Sequence, residues 1–262
     1  ARADLRPGFW QLTDVTEAAI PSVLRGFSAP VTLDHDLTIA QRLAQMAHDP
    51  DPYTRWEAGQ TIARAIMLGQ APEAQSALAT ALGRELDRAQ HDPAFAALAL
   101  RLPDLNELIL ASAAPDPEAL HAAREDLRRT VASALRERLT PIASAPSDTP
   151  FSASSDAAGR RALKSAALDL LSSLGPNQGP LFMAVFESAL SMTEAMAALE
   201  ALSASGATEF EDALDHFYRR WQSNPLVIDK WFAVQASSPR ADTLQRAERL
   251  RAHPDFNVRN PN

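Results

Sequence analysis

The spacing of proline between helix-forming stretches is the feature that most constrains this chain. From Asp36 onward the sequence is rich in Ala, Leu, Glu and Arg, the strongest helix formers, and few glycines interrupt it. The first turn of a helix tolerates proline and favours a negative charge, so an acid next to a proline predicts a helix start. Such pairs occur at Asp49–Pro52, Ala71–Glu73, His91–Pro93, Leu102–Asp104 and Asp116–Glu118.

These signals predict many consecutive helices joined by short turns. The predicted helices cover Thr38–His48 and Tyr53–Leu68, begin again at each later acid–proline pair, and then run over 156–174, 181–190, 193–202, 207–222, 225–236 and 239–252, with Glu118–Leu139 the longest uninterrupted one. The segment Thr140–Ser155 is rich in proline and serine, so we predict a loop or linker there, and the best candidate for disorder.

Residues 9–33 differ from everything that follows them. Pro21, Gly26 and Pro30 lie too close together for a helix of normal length, and the mixture of Thr, Val and aromatic residues favours short strands. Ile20–Val31 is predicted to be an edge or last strand, and so few strands cannot form a stable sheet alone. The predicted fold class is therefore mainly α, an irregular antiparallel helical bundle or solenoid with a short N-terminal β segment.

Composition excludes several classes of function. The formal net charge of −8 leaves no basic field for a phosphate backbone, so we expect no nucleic-acid partner. No stretch approaches the ~18 apolar residues that a membrane span needs, so we expect no membrane partner. The chain has no cysteine, which excludes disulfides and thiolate chemistry and favours a cytoplasmic location.

Side chains able to carry out chemistry are present, but they do not form a recognisable motif. The six histidines are His35, His48, His91, His121, His216 and His253. The sharpest metal-binding pattern is His121 with Glu125, one helical turn apart, and no third ligand is evident in the sequence. The H-E-x-x-H pattern of zinc peptidases is missing. Glu194, Glu200, Glu209 and Glu211 are predicted to be acids on helix surfaces, and Trp10, Trp56, Trp221 and Trp231 to fill cores between helices.

Seven stretches together resemble the bacterial aminopeptidase N family, outside its catalytic domain. They follow the family's order with similar spacing, and the stretches at Ile20–Val31 and Leu226–Pro239 are the most specific. They are IPSVLRGFSAPV (Ile20–Val31), DPYTRWEAGQ (Asp51–Gln60), LPDLNELI (Leu102–Ile109), REDLRRTVASAL (Arg124–Leu135), SMTEAMAALEAL (Ser191–Leu202), LVIDKWFAVQASSP (Leu226–Pro239) and NPN (Asn260–Asn262).

The resemblance implies a role within a longer enzyme, which we call the parent. Residues 1–33 would be the end of a β-sandwich domain, and residues 34–262 an incomplete helical C-terminal domain that caps the active-site cavity and limits peptide access. The parent would remove amino-terminal residues from peptides with one zinc ion, a general-base glutamate and a glycine-rich motif. None of those residues has a counterpart here, and the family's cavity-lining arginines would follow Asn262. We therefore predict no catalytic, cofactor-binding or metal-binding residue in this chain.

Other interpretations stay open at this point. The chain would have the rest of the parent and, through it, peptide substrates as partners, or it would be a stand-alone helical-repeat module that binds a peptide or protein in a groove. A hydrolase that uses His121 and Glu125 is the weakest alternative. We also expect apolar surface at Leu244, Leu250 and Phe256, and self-association through that end.

Overall fold

A computed structural model describes residues 19–31, 33 and 36–260. This part of the chain contains twelve α-helices and no strand, so the prediction of a mainly α fold is confirmed. The helices are α1 (Ile39–His48), α2 (Pro52–Met67), α3 (Gln75–Arg88), α4 (Pro93–Ala99), α5 (Leu105–Ala111), α6 (Pro117–Ala143), α7 (Ser155–Ser172), α8 (Gly179–Ser188), α9 (Met192–Ser205), α10 (Glu209–Trp221), α11 (Pro225–Ala236) and α12 (Thr243–Arg251). Short 3-10 turns lie at Arg25–Phe27, Pro72–Ala74 and Pro176–Gln178.

Aspartate caps explain why several helices begin where the acid–proline pairs predict. Asp51 accepts a hydrogen bond from the backbone N–H of Thr54, and Pro52 is the first residue of α2. Asp92 and Asp116 precede α4 and α6 in the same way, each followed by a proline. The carboxylate satisfies an N–H group that has no partner inside the helix, and proline loses nothing at this position.

Helix α7 lies at the centre of the packing, in contact with α4, α6 and α9. Its inward side chains are small or aliphatic, and Ala167, Leu168 and Leu171 have no exposed surface. Gly159 permits the close approach of α4, because a Cβ atom added there would lie 3.0 Å from the backbone nitrogen of Ala94. The core continues through α8–α10 with the fully buried Phe182 and with other aromatic side chains.

The loop that the sequence predicts at Thr140–Ser155 begins only after Ala143 in the structure. Helix α6 continues to Ala143 and contains Pro141, so the first residues of the predicted loop are helical. Pro141 lies in the last turn of α6, and the turn closes after it because the Ser144 N–H donates to the Thr140 carbonyl at 3.0 Å. A proline near a helix end disturbs fewer backbone hydrogen bonds than one in the middle, which explains the longer helix.

The strand predicted at Ile20–Val31 is wrong in the described residues. Leu24, Gly26 and Phe27 have positive φ angles, which an extended strand does not adopt, and the segment turns at Arg25–Phe27. The backbone of this segment bonds to side chains of the helical array in place of a neighbouring strand. For example, the Gly26 N–H donates to Asp51 at 2.9 Å. The remaining predicted β residues, 9–18, lie outside the described part of the chain.

Apolar side chains remain exposed towards the last helix, although not all of those predicted. Leu244 is 73% exposed and Phe256 is 40% exposed, as expected from the sequence. The prediction for Leu250 is wrong, because this residue is 8% exposed where α12 packs against α11. No helix among the described residues has both the length and the apolar character needed to cross a lipid bilayer.

Candidate functional site

Buried ion pairs join helices that are distant in the sequence. In each pair at least one charged side chain is less than one-tenth exposed, so the charge has lost most of its water and depends on its partner. The pairs are Arg55–Glu85 (3.1 Å), Arg128–Asp169 (2.8 Å), Lys164–Glu194 (3.0 Å) and Arg246–Glu211 (2.6 Å). Most charged groups inside the helical array therefore hold helices together.

The structure gives Glu125 a role other than metal binding. Its carboxylate accepts hydrogen bonds from Arg128 Nη1 at 2.7 and 2.9 Å and lies 3.2 Å from Arg124 Nη1. His121 is exposed on the same helix. Two guanidinium groups already neutralise this carboxylate, so the pair does not fit a zinc ion. Among the described residues no group of three His, Asp or Glu side chains is arranged to hold a metal ion.

The other histidines are dispersed. His48 and His91 are exposed near helix ends, and the His216 ring packs edge-on against Phe186 at 5.7 Å. His253 lies within an aromatic cluster, with ring centroids of Trp231, Tyr218 and Phe232 between 5.3 and 5.5 Å away. His35 and Trp10 lie outside the described residues. The structure does not bring the described histidines together.

The most developed polar site lies where residues 144–154, which connect α6 to α7, cross α7 and α9. We call this connection the strap. Lys164 of α7 donates to the Ala145 carbonyl of the strap at 2.7 Å and to Glu194 of α9 at 3.0 Å. The side chains of Lys164 and Glu194 are only 7% and 4% exposed. A single buried ion pair thus connects the strap to two helices.

Both carboxylate oxygens of Glu194 accept hydrogen bonds at this site. Ser147 of the strap donates to one carboxylate oxygen at 2.8 Å, and Ser191, which caps α9, donates to the other at 2.8 Å. Burial alone would raise the pKa of Glu194, but hydrogen bonds from Lys164, Ser191 and Ser147, together with the lysine charge, lower it below the ordinary value. The prediction that Glu194 is a surface acid is therefore wrong.

Two arginines of α7 hold the rest of the strap. Arg160 lies 3.0 Å from Asp148, and Arg161 lies 3.6 Å from the other oxygen of the same carboxylate. Arg161 also donates to the Ser152 carbonyl at 2.9 Å, and its guanidinium carbon lies 4.7 Å from the centre of the Phe151 ring. The segment predicted as the best candidate for disorder is thus bound along its length by cationic side chains.

A cleft of about 440 Å³ lies beside the strap. The polar part of its lining consists of the paired charges already described, together with Asp156, which pairs with Arg160, and the neutral amide of Gln90. Its walls are otherwise apolar and come from α3, α4, α6, α7 and the strap, and they include Leu86, Ala89, Pro93, Ile142, Pro146 and Leu163. An apolar cleft with a few convergent polar groups is the usual form of a ligand site.

A second cleft lies between α7, α9 and α11, with Ser165, Asp169 and Glu200 in its lining. Glu200 is exposed as predicted, but partial loss of water beside its neighbours raises its pKa, and the nearby charge of Asp169 raises it further. Paired acids with different environments can serve acid–base chemistry. Here Asp169 already accepts hydrogen bonds from Arg128, so it belongs to an ion pair that joins α6 to α7.

Comparison with known proteins gives a consistent match. Residues 39–262 match the family model described as "Domain of unknown function (DUF3458_C) ARM repeats". The chain is 41% identical over 256 residues to aminopeptidase N of Caulobacter vibrioides, which covers 95% of this chain and 30% of that protein. It is 32% identical over 252 residues to aminopeptidase N of Escherichia coli, which covers 93% of this chain and 29% of that protein.

A solved structure agrees with these matches. Legionella pneumophila aminopeptidase A, crystallised in complex with aspartic acid, superposes with a TM-score of 0.75 at 27% identity, over 91% of this chain and 30% of that one. The chain therefore spans about 30% of the length of the relatives that it matches. The resemblance to a C-terminal part of aminopeptidase N, predicted from the sequence, is confirmed.

Proposed function

Since the chain belongs to the DUF3458_C ARM-repeat family, we propose that it is the non-catalytic helical domain of a zinc aminopeptidase of the aminopeptidase N type. In this proposal the domain caps the active-site cavity of the parent and limits access to short peptides. The zinc ion, the general base and the site for the free amine come from other parts of the parent. The absence of cysteine supports a cytoplasmic location for the parent.

The observation that carries this proposal is similarity over almost the whole chain to less than one third of each aminopeptidase. Such a match is expected for one domain of a larger enzyme. The side chains support the same interpretation, because the buried charges join helices to one another and leave few groups for chemistry. A cap must hold its shape against a cavity, and pairs such as Arg128–Asp169 and Arg246–Glu211 cross-link the helices that would form it.

The N-terminal residues support a junction with a preceding domain, with residues 1–33 assigned to a β-sandwich and 34–262 to the helical domain. Residues 19–31 are anchored to the helices, since Gln45 Nε2 donates to the Pro21 carbonyl at 2.7 Å and the Phe27 ring lies 5.2 Å from that of Tyr53. The outer side chains of these N-terminal residues are apolar and exposed. They are Ile20, Val23, Phe27, Val31 and Leu33, each between 38% and 55% exposed. We propose that the rest of the parent's β-sandwich covers this row.

Two experiments test whether the chain is a non-catalytic part of a larger zinc aminopeptidase. Sequencing the gene upstream should find a zinc-binding H-E-x-x-H motif in the same reading frame, and a gene that starts at this segment would contradict the proposal. The purified chain, incubated with zinc, should not hydrolyse an aminoacyl-p-nitroanilide. Robust hydrolysis by this chain would mean that it contains its own catalytic site.

The second candidate is a helical-repeat module that binds a peptide. The cleft beside the strap favours it, because a segment of the chain with no helix or strand, residues 145–153, already lies there. A soluble, zinc-free monomer encoded as a separate gene would support this function over the cap.

A further inference from the structure

The strap is bound to α7 in the way that a peptide ligand is bound to a receptor groove. Its contacts use main-chain carbonyls, the Ser147 hydroxyl, one carboxylate and one aromatic ring, all of which a short peptide with one acidic residue can offer. Lys164 binds the Ala145 carbonyl and Arg161 binds the Ser152 carbonyl, so α7 contacts the strap near both of its ends.

Three cationic side chains of α7 line the groove that the strap covers, and one of them would lose its carboxylate partner without the strap. Arg160, Arg161 and Lys164 lie within two helical turns, and each binds the strap. Asp156 would still neutralise Arg160, and Glu194 would still neutralise Lys164. Arg161 is different, because the carboxylate it approaches is that of Asp148 on the strap, and its side chain is 11% exposed.

The walls of the cleft would suit the same kind of ligand. Apolar residues of α3 and α4, such as Leu86 and Pro93, lie opposite the cations of α7. Phe151, which stacks on Arg161, is itself 59% exposed, so the aromatic contact is formed at the surface and can be exchanged. The strap therefore shows which ligand the groove accepts.

We propose that this groove binds, from another molecule, a peptide with a carboxylate and an aromatic ring three residues apart, and that the strap is the competing internal ligand. The spacing is that of Asp148 and Phe151. A tethered segment acts at an effective concentration on the order of millimolar, so it masks the groove against dilute peptides. Weakening the strap removes this competition and increases the apparent affinity. The inference is independent of the cap, because every residue it uses belongs to this chain.

The test uses a fluorescein-labelled peptide with the strap sequence, SAPSDTPFSAS, and fluorescence anisotropy. The protein variant Asp148→Ala/Phe151→Ala weakens the strap and leaves the groove intact. We expect it to bind the peptide at least ~10-fold more tightly than the unmodified chain does. A peptide with alanine at the same two positions should bind at least ~10-fold more weakly, because it lacks the charge-assisted contact and the ring.

Two controls separate groove binding from other effects. Adding Arg161→Met to the weakened variant should abolish binding, whereas adding Arg138→Met, which removes a surface ion pair with Asp87, should not. Inorganic phosphate at the peptide concentration should not compete. Equal affinity for both proteins, equal affinity for both peptides, or displacement by phosphate would each overturn the proposal.

A measurement on the unmodified chain covers the case in which the variant does not fold. Millimolar unlabelled peptide should displace the strap and shift the backbone amide NMR signals of its non-proline residues between 145 and 153, while α6 and α9 keep their hydrogen-exchange protection. The alanine peptide should leave the strap signals unchanged. Unchanged strap signals with the strap peptide would refute internal competition.

Discussion

Replacing Lys164 by methionine tests how much of the stability depends on one buried charge pair. Methionine keeps the length and apolar volume of the lysine stem and removes the ammonium group. Glu194 then stays 4% exposed with its negative charge and without its cation. The Ala145 carbonyl also loses its donor, but this residue is exposed and water can replace the lysine.

The expected loss of stability depends on the hydrogen bonds that Glu194 keeps after lysine is replaced. Removing one partner of a buried ion pair costs about 3–5 kcal/mol. Ser147 and Ser191 still donate hydrogen bonds to the carboxylate, so we expect the lower end, about 3 kcal/mol. For a chain of this size each kcal/mol lowers Tm by about 2–4 °C, so Lys164→Met should lower it by roughly 6–12 °C.

The double variant Lys164→Met/Glu194→Gln gives the decisive comparison. Glutamine keeps the shape of Glu194, accepts one serine hydrogen bond at its carbonyl oxygen and can donate from its amide nitrogen to the other serine hydroxyl, but it brings no charge into the core. We therefore expect the double variant to be about 2 kcal/mol more stable than Lys164→Met alone, although it carries one more substitution. Urea unfolding of both proteins at neutral pH measures this difference. If the double variant is as unstable as the sum of the single changes, the buried charge is not the cause of the loss.

Four further outcomes are expected. Because the folded-state pKa of Glu194 is lowered, its stabilisation is complete above the ordinary glutamate pKa of about 4.3 and is lost as the pH falls through the lowered value. Urea unfolding at pH 7 and pH 3 should show a smaller loss in Glu194→Gln than in the unmodified chain. Gly159→Ala should destabilise by about 1–3 kcal/mol in thermal unfolding, opposite to the usual gain of about 1 kcal/mol, because the new Cβ meets the α4 backbone. Leu250→Ala should cost about 2–5 kcal/mol and Leu244→Ala less than about 0.5 kcal/mol, and equal effects would contradict their different burial. Size-exclusion chromatography should show self-association at high concentration that Leu244→Ser/Phe256→Ser reduces, and a monomer at every concentration would exclude that interface.

The sequence predicted those features of the fold that are set by neighbouring residues. A cap such as Asp116 acts on N–H groups two and three positions away, so the acid–proline pairs indicate helix starts without any tertiary information. The bounds predicted for the helix at 225–236 agree with α11 for the same reason, because Pro225 begins it. The resemblance supplied the rest of the interpretation, since composition alone would fit many helical arrays.

The candidate site could not be predicted in this way, because it depends on residues distant in the sequence. Glu194 looks like a surface acid, and only its position next to Lys164, thirty residues earlier, shows that it is buried. Spacing in the strap gave no sign of ordering either, since prolines and serines are typical of loops. The signal that could have been used is the group of three cationic residues within Arg160–Lys164, shortly after a loop that contains Asp148 and Phe151.

Buried ion pairs also explain why each of these similar helices packs against one particular neighbour in one register. The helix faces are dominated by alanine and leucine, and such faces pack acceptably in several registers. A buried charge permits far fewer registers, because a mispaired helix leaves the charge without a counter-ion. We infer that Lys164 and Glu194 fix α7 against α9 as well as holding the strap. The register of the central helix and the masking of its groove therefore depend on the same pair, so a ligand that displaces the strap must leave the lysine–glutamate contact intact.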